Sequence, residues 1–171
     1  DGWLISGSKY GAYEDHDWIT RLEDLIRAIH DTGRPLVGIC FGHQIIAQAL
    51  GGKVVKFDGG WSVGAQTYQF EDGPVTLNAW HQDQVVALPD GAQVLASSEF
   101  CANAAVAYGD RIYTVQAHPE FTATEVDGLI RKRGPGVVPD ALLANAADNL
   151  NAPLGSSTIA KRFAATFRGE K

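Results

Sequence analysis

Apolar positions in the first third of the chain follow two different spacings. Residues 3–5 form a short apolar run that predicts a strand. Between residues 18 and 29 the apolar side chains recur every three or four positions, which is typical of a helix with one buried face. Gly33 ends that pattern, and the continuous apolar run at 35–39 indicates a strand covered on both faces. Residues 45–50 then predict a short second helix.

From residue 53 onward the pattern changes to short strands separated by turns, and it returns to helices near the end. Strands are predicted at 53–57, 65–70, 75–79, 85–88, 93–97, 104–108 and 112–116. Helices are predicted at 122–133, 140–150 and 157–167. Alternating strands and helices at the start favour an α/β fold with a doubly wound, mostly parallel sheet flanked by helices.

Length and charge narrow the class of protein. The chain has 171 residues, 45% of them hydrophobic, which suits a single domain. Twenty acidic and fourteen basic residues give a net charge of −6, so neither a nucleic acid nor a membrane is an expected partner. No apolar run approaches the length of a membrane span. Two cysteines do not make a disulfide framework and fit a cytoplasmic location.

The strongest chemical signal is a cysteine between two glycines. Gly38, Cys40 and Gly42 form a G-x-C-x-G motif at the predicted junction of a strand and a helix. This is the cysteine form of a nucleophile elbow, in which the glycines allow a sharp turn and close packing. Amides at the start of the helix would face the sulfur and favour its thiolate. The alternative is a buried structural cysteine, which is the interpretation we keep for Cys101.

A base for this nucleophile is offered by the sequence His118-Pro119-Glu120. Pro119 favours an extended backbone at His118, so the His118 and Glu120 side chains can project to the same side. The motif follows a predicted strand, as Cys40 does. His81 is a rival base, and an ordinary loop tripeptide is the alternative for the motif itself. The remaining histidines, His16, His30 and His43, carry no such context, and no recognised metal-ligand spacing occurs, so no metal site is expected.

Three blocks in this order resemble the class I, or triad-type, glutamine amidotransferases. They are Gly-Ile-Cys-Phe-Gly-His-Gln at 38–44, Trp-His-Gln-Asp-Gln-Val at 80–85, and Gln-Ala-His-Pro-Glu-Phe at 116–121. The likeness runs from Asp1 to about Thr124. It is nearest to the amidotransferase domain of GMP synthase and its stand-alone relatives.

The resemblance implies a flavodoxin-like fold and a Cys-His-Glu triad that hydrolyses the side-chain amide of glutamine. Cys40 would attack the amide, His118 would move the protons, and Glu120 would orient the imidazole. Backbone amides of Gly7 and Phe41 would form the oxyanion hole. Gln44 and the block Trp80, His81, Gln82 and Asp83 would bind the amino-acid end of the substrate. No cofactor is implied.

The resemblance leaves the use of the released nitrogen open. Glutamine hydrolysis could supply ammonia to a separate acceptor subunit, or the protein could be a stand-alone γ-glutamyl peptidase or hydrolase acting through the same residues. A third alternative, from a different class, is a non-enzymatic binding or regulatory subunit on the same fold, against which the complete triad argues.

The domain boundaries follow from the same likeness. We expect residues 1–171 to form a single amidotransferase-like domain, with 134–171 as a C-terminal helical extension that packs as a hairpin, caps the site or forms a homodimer face. Because the chain opens in a strand at residues 3–5 and contains no methionine, we expect the first strand and helix of the fold to precede Asp1.

Overall fold

Strands and helices alternate in the first third of the chain, strands fill its middle, and three helices close it. The computed structural model describes residues 1–170. Its strands are β1 (Trp3–Ile5), β2 (Leu36–Ile39), β3 (Lys53–Lys56), β4 (Ser62–Phe70), β5 (Gly73–His81), β6 (Asp83–Ala87), β7 (Ala92–Ser97), β8 (Ala105–Tyr108) and β9 (Ile112–Val115). Its helices are α1 (Asp17–Asp31), α2 (Phe41–Ala49), α3 (Ala123–Lys132), α4 (Asp140–Asp148) and α5 (Ser156–Arg168).

Seven strands form one mixed sheet in the order β1-β2-β9-β8-β7-β4-β5. Pairing is parallel from β1 through β2 to β9 and antiparallel across the remaining strands. Strands β3 and β6 pair separately. The parallel strands end just before Gly7, Cys40 and the segment that carries His118. Because the carboxyl ends of parallel strands share one edge of the sheet, these three residues come together there.

Helices cover both faces of the sheet, which confirms the predicted α/β class. On one face α1 and α2 enclose a core that includes Ile26, Leu36 and Ile45. On the other face, Ile159 of α5 belongs to a core built with Leu77 and others. Helices on the two faces also explain why β2 is apolar throughout, since all four of its residues are buried.

The element boundaries agree with the sequence pattern to within two residues, except that β4 begins three residues before its predicted start and that α2 differs at a functionally important place. Helix α2 begins at Phe41, four residues before the predicted start, because the chain turns into the helix directly at Cys40. The glycine at 42 therefore belongs to the helix and not to a loop. The predicted turn between the last two strands is confirmed, with Tyr108 opposite Ile112 and Gly109 at φ +63°.

The C-terminal helices lie on different parts of the sheet and do not form the hairpin that the sequence suggested. Helix α4 packs on β4 and on α3, where Ala146 approaches Gly64 closely. Helix α5 instead crosses β2, β9 and β5. The buried residues of each helix belong to cores built with the sheet, Ala146 of α4 with Val63 and Ile159 of α5 with Leu77. Within residues 1–170, each helix is too short or too polar to cross a membrane.

Candidate active site

The turn from β2 into α2 holds Cys40 in a strained conformation. Among residues 1–170, Cys40 is the one non-glycine residue with a positive φ, at 52°. A Cβ atom on Gly38 would lie 2.7 Å from the carbonyl of Gly42, and one on Gly42 would overlap the carbonyl of Ile5. Both glycines of the motif are therefore required by close backbone packing around the turn.

Cys40 is fixed to the neighbouring strand and faces the start of a helix. Its amide donates to the carbonyl of Val115 at 2.9 Å, and its side chain is buried. Because α2 begins at Phe41, the amide of Phe41 has no acceptor within the helix. This amide belongs to the residue directly after the nucleophile, which is compatible with the oxyanion role predicted for Phe41.

His118 contacts both Cys40 and Glu120. Its Nδ1 donates to Glu120 Oε1 at 2.7 Å, which leaves Nε2 for the sulfur side. Burial opposes a charge on the imidazole, but the hydrogen bonds and negative charges of Cys40 and Glu120 outweigh it and raise the pKa of His118 to about 9. The structure thus brings together the three residues that the sequence singled out as nucleophile, base and orienting carboxylate.

Two residues that the sequence did not single out hold the imidazole in place. The His118 amide donates to the carbonyl of Asn78 on β5 at 2.8 Å, and the Asn78 side chain donates to the carbonyl of Phe121 at 3.0 Å. The Phe121 ring lies parallel to the imidazole with 3.9 Å between ring centroids. Asn78 alternates with apolar residues in the predicted strand 75–79, as an exposed side chain would, so nothing in the sequence indicated that it is buried.

Gly7 lies directly against the catalytic pair. A Cβ atom at Gly7 would be 2.9 Å from Cε1 of His118 and 3.8 Å from Cβ of Cys40. The loop after β1 therefore passes over the imidazole with only its backbone. This position suits the oxyanion role predicted for Gly7, since a main-chain group is all that the available space admits.

The four residues of the 80–83 block occupy different surroundings. Trp80 is half-buried and packs on Trp61 at 6.3 Å between ring centroids. The Gln82 side chain donates to the carbonyl of Phe57 at 3.3 Å. The carboxylate of Asp83 accepts a hydrogen bond from Tyr13 at 3.1 Å, and burial raises the pKa of that carboxyl.

His81, the rival base, hydrogen-bonds through Nδ1 with the carbonyl of Asp83 at 3.2 Å. Burial lowers the pKa of His81 to about 4, and the positive charge of His118 acts in the same direction. His81 is therefore neutral at pH 7. His118, which the structure places against both Cys40 and Glu120, has the geometry of the base.

Gln44 points into the protein. Its side chain is buried, and its amide nitrogen donates to the carbonyl of Asp83 at 2.9 Å and to Oε1 of Gln116 at 3.1 Å. Both hydrogens of that nitrogen are used by these bonds, so only the amide oxygen could meet a substrate. The preceding residue, His43, is fully buried, and its Nδ1 lies 2.8 Å from Oγ1 of Thr114. This contact gives His43 a structural role.

The second cysteine has none of these features. Cys101 is a free thiol like Cys40, but burial raises the pKa of Cys101 to about 12. It is a packing residue in the core beneath α5. In the described part of the chain, no group of three or more His, Cys, Asp or Glu side chains is arranged to hold a metal ion.

Curated relatives match most of the chain, although the chain spans about half of their length. A gamma-glutamyl peptidase 4 from Arabidopsis thaliana is 36% identical over 135 residues, which is 71% of this chain and 54% of that protein. A subunit of the glutamine-hydrolyzing GMP synthase from Methanocaldococcus jannaschii is 37% identical over 107 residues, which is 57% of each.

Solved structures share the fold. A glutamine amido transferase from Methylobacillus flagellatus superposes with a TM-score of 0.81 at 22% identity, over 99% of this chain and 77% of that one. A putative GMP synthase subunit from Thermoplasma acidophilum gives a TM-score of 0.60 at 28% identity, over 70% and 63%. The family model for glutamine amidotransferase class-I matches residues 1–134. The chain belongs to the class I glutamine amidotransferase family.

Proposed function

We propose that this chain hydrolyses the side-chain amide of glutamine through a covalent intermediate on Cys40. One observation carries the proposal: a cysteine held at a strained elbow lies beside the imidazole of His118, whose Nδ1 bonds Glu120 at 2.7 Å. A nucleophile, a base and an orienting group in contact are what covalent acyl transfer needs.

The first step uses the raised pKa of His118. Because that pKa is about 9, the imidazole can hold the proton that the Cys40 thiol gives up as it becomes the attacking thiolate. The thiolate forms a bond to the γ-carbonyl carbon, and the carbonyl electron pair moves to oxygen. The amides of Gly7 and Phe41 would stabilise this oxyanion.

The second step uses the same proton. Nε2 of His118 passes it to the leaving nitrogen, the carbon–nitrogen bond breaks, and ammonia departs from a γ-glutamyl thioester on Cys40. The neutral imidazole then takes a proton from water, whose oxygen attacks the thioester to give glutamate and the free thiolate. Glu120 holds Nδ1 throughout, so the ring keeps one orientation.

The amino-acid end of glutamine would lie toward the 80–83 block. The Asp83 carboxylate and the amide oxygen of Gln44 are acceptors that suit an ammonium group. Trp80, His81 and Gln82 are engaged with other protein groups, and we assign them to shaping this region. Two free thiols fit a reducing compartment, and we propose that the protein acts in the cytoplasm.

A second candidate is hydrolysis of γ-glutamyl peptides, with an amine in place of ammonia as the leaving group. Relatives named gamma-glutamyl peptidase 4 and 3 are 36% and 34% identical to this chain over 71% of its length, which favours this candidate. The relatives named as a GMP synthase subunit instead favour transfer of ammonia to a separate partner. Both candidates use the same covalent chemistry.

A substrate panel tests the proposal. Purified protein is given glutamine, γ-glutamyl dipeptides and γ-glutamyl amines, and glutamate release is measured for wild type, Cys40→Ser and the matched Cys101→Ser variant. We expect release by wild type and Cys101→Ser and none above background by Cys40→Ser. Equal release by Cys40→Ser would contradict the proposal, and the preferred substrate decides between the two candidates.

A further inference from the structure

We infer that Gln116 is an additional catalytic residue, whose side-chain amide donates a hydrogen bond to the sulfur of Cys40 and stabilises its thiolate. The inference rests on the proposed function, in which that sulfur is the nucleophile, and deepens it. Gln116 is fully buried, and its Nε2 lies 3.7 Å from Sγ of Cys40, within the range of hydrogen bonds to sulfur.

The backbone places this amide with little freedom. Gln116 follows directly on β9, and its own N–H donates to the carbonyl of Ala104 at 2.8 Å. Gln116 lies two residues before His118 on the segment that follows β9. The sulfur is therefore contacted by an amide donor and by the imidazole from one short segment.

The direction of the amide is fixed by a chain of hydrogen bonds that begins at Asp83. A backbone carbonyl can only accept, so the side chain of Gln44 must turn its nitrogen toward Asp83, at 2.9 Å. The second hydrogen of that nitrogen goes to Oε1 of Gln116, at 3.1 Å. With its oxygen used in this way, Gln116 presents its nitrogen to Cys40.

This fixed direction favours one ionisation state of the sulfur. The chain of hydrogen bonds ends in a donor, so the sulfur must act as an acceptor, and a thiolate accepts a hydrogen bond more strongly than a thiol does. Two titratable side chains interact with Cys40: His118, whose positive charge attracts a thiolate, and Tyr68, whose pKa is raised by burial so that it stays neutral. Gln116 therefore adds to the effect of His118.

A purely structural glutamine would look different, and the chain contains one. Gln84 is also buried, but its amide donates to the carbonyl of Phe100 at 3.0 Å. That hydrogen bond satisfies a backbone carbonyl, whereas the amide of Gln116 donates to the sulfur of Cys40. Gln84 is thus a matched control for the cost of replacing a buried glutamine.

The test compares Gln116→Leu, Gln116→Glu and Gln84→Leu. Iodoacetamide is the probe, and the rate of Cys40 alkylation is followed from pH 5 to pH 10 by mass spectrometry, beside kcat and KM for glutamine. For Gln116→Leu we expect alkylation at pH 7 to slow by about 10-fold and kcat to fall by about 10- to 100-fold with KM little changed, as for the loss of one hydrogen bond to a charged group. Its alkylation profile should move to higher pH.

Gln116→Glu keeps the shape and the acceptor for Gln44 but places an anion beside the sulfur. We expect it to fold and to react more slowly than wild type at pH 7, with the difference shrinking at lower pH as the new carboxylate takes up a proton. Gln84→Leu should lose stability and keep the wild-type alkylation profile.

A wild-type profile in folded Gln116→Leu and Gln116→Glu would overturn the inference, as would an equal shift in Gln84→Leu. Alkylation needs no substrate, so it separates this inference from the proposed function. A shifted profile in a chain that hydrolyses no γ-glutamyl compound would support the contact at sulfur and contradict the proposed reaction.

Discussion

A methyl group on Gly7 would come within 2.9 Å of Cε1 of His118, closer than real Cβ atoms approach a neighbouring carbon. The loop after β1 therefore meets the imidazole through its main chain alone. Gly7 itself is exposed, so its side of the site is open to solvent while His118 is buried. The space for a side chain at this position is limited by the catalytic pair and not by the core.

Gly7→Ala should therefore impair catalysis much more than stability. The new methyl group would displace either the imidazole or the loop, and we expect kcat/KM for glutamine to fall ~100-fold, as for the loss of one oxyanion donor. The free energy of unfolding should change by less than about 1 kcal/mol, because the position is exposed. Steady-state kinetics and urea unfolding measure the two effects.

Gly128→Ala is the matched control for this substitution. Gly128 lies in α3, where a Cβ atom meets nothing within 4 Å. This variant should gain about 0.5–1 kcal/mol from helix propensity and keep wild-type kinetics. If Gly7→Ala keeps the wild-type kcat/KM, the loop after β1 does not contribute to the oxyanion site.

Glu120→Gln should weaken the base without removing it. The amide keeps most of the shape but loses the charge that helps hold the proton on His118, so the pKa of His118 should fall from about 9. We expect kcat to drop by roughly 10-fold or more, in the lower range for general acid–base groups because Glu120 is partly exposed. NMR titration of His118 measures its pKa, and the pH dependence of kcat measures the effect on catalysis. The variant Glu71→Gln, at an exposed position, is the control. An unchanged His118 titration would contradict it.

Asn78→Leu should misplace the imidazole. The substitution leaves the carbonyl of Phe121 without its donor, and the ring of Phe121 stacks on His118. We expect a loss of about 1–3 kcal/mol in stability together with a fall in kcat and little change in KM. Asn103→Leu is the control, since Asn103 donates to the carbonyl of Val85 and should lose stability alone. Equal kcat in both variants would contradict a positioning role for Asn78.

Local pattern predicted the elements, and it pointed separately to the elbow and to the His118-Pro119-Glu120 motif, because each of these depends on residues close in sequence. The turn at Gly109 and the helix stripe between 18 and 29 are set by nearest neighbours. The elbow was recognisable because close backbone packing requires glycine at 38 and 42. Where the backbone itself specifies the residue type, the sequence carries the signal.

Longer-range relationships could not be predicted in this way. The bridge between Asn78 and His118 joins segments forty residues apart, and nothing near either residue indicates the other. The inward direction of Gln44 depends on a carbonyl at Asp83. The motif at 80–83 suggests one shared role for neighbouring residues. Side chains alternate along a strand, however, so Trp80 and His81 lie in different surroundings.

The central claim, that Cys40 is the nucleophile for a γ-glutamyl amide, is tested most directly by covalent labelling. A glutamine analogue carrying a thiol-reactive group is incubated with folded wild type, Cys40→Ser and Cys101→Ser, and the adduct is located by mass spectrometry. We predict one adduct per chain on Cys40 in wild type and Cys101→Ser, suppressed by excess glutamine, and none in Cys40→Ser. Absence of labelling in folded wild type, or an adduct on Cys101 that glutamine does not suppress, would contradict the claim.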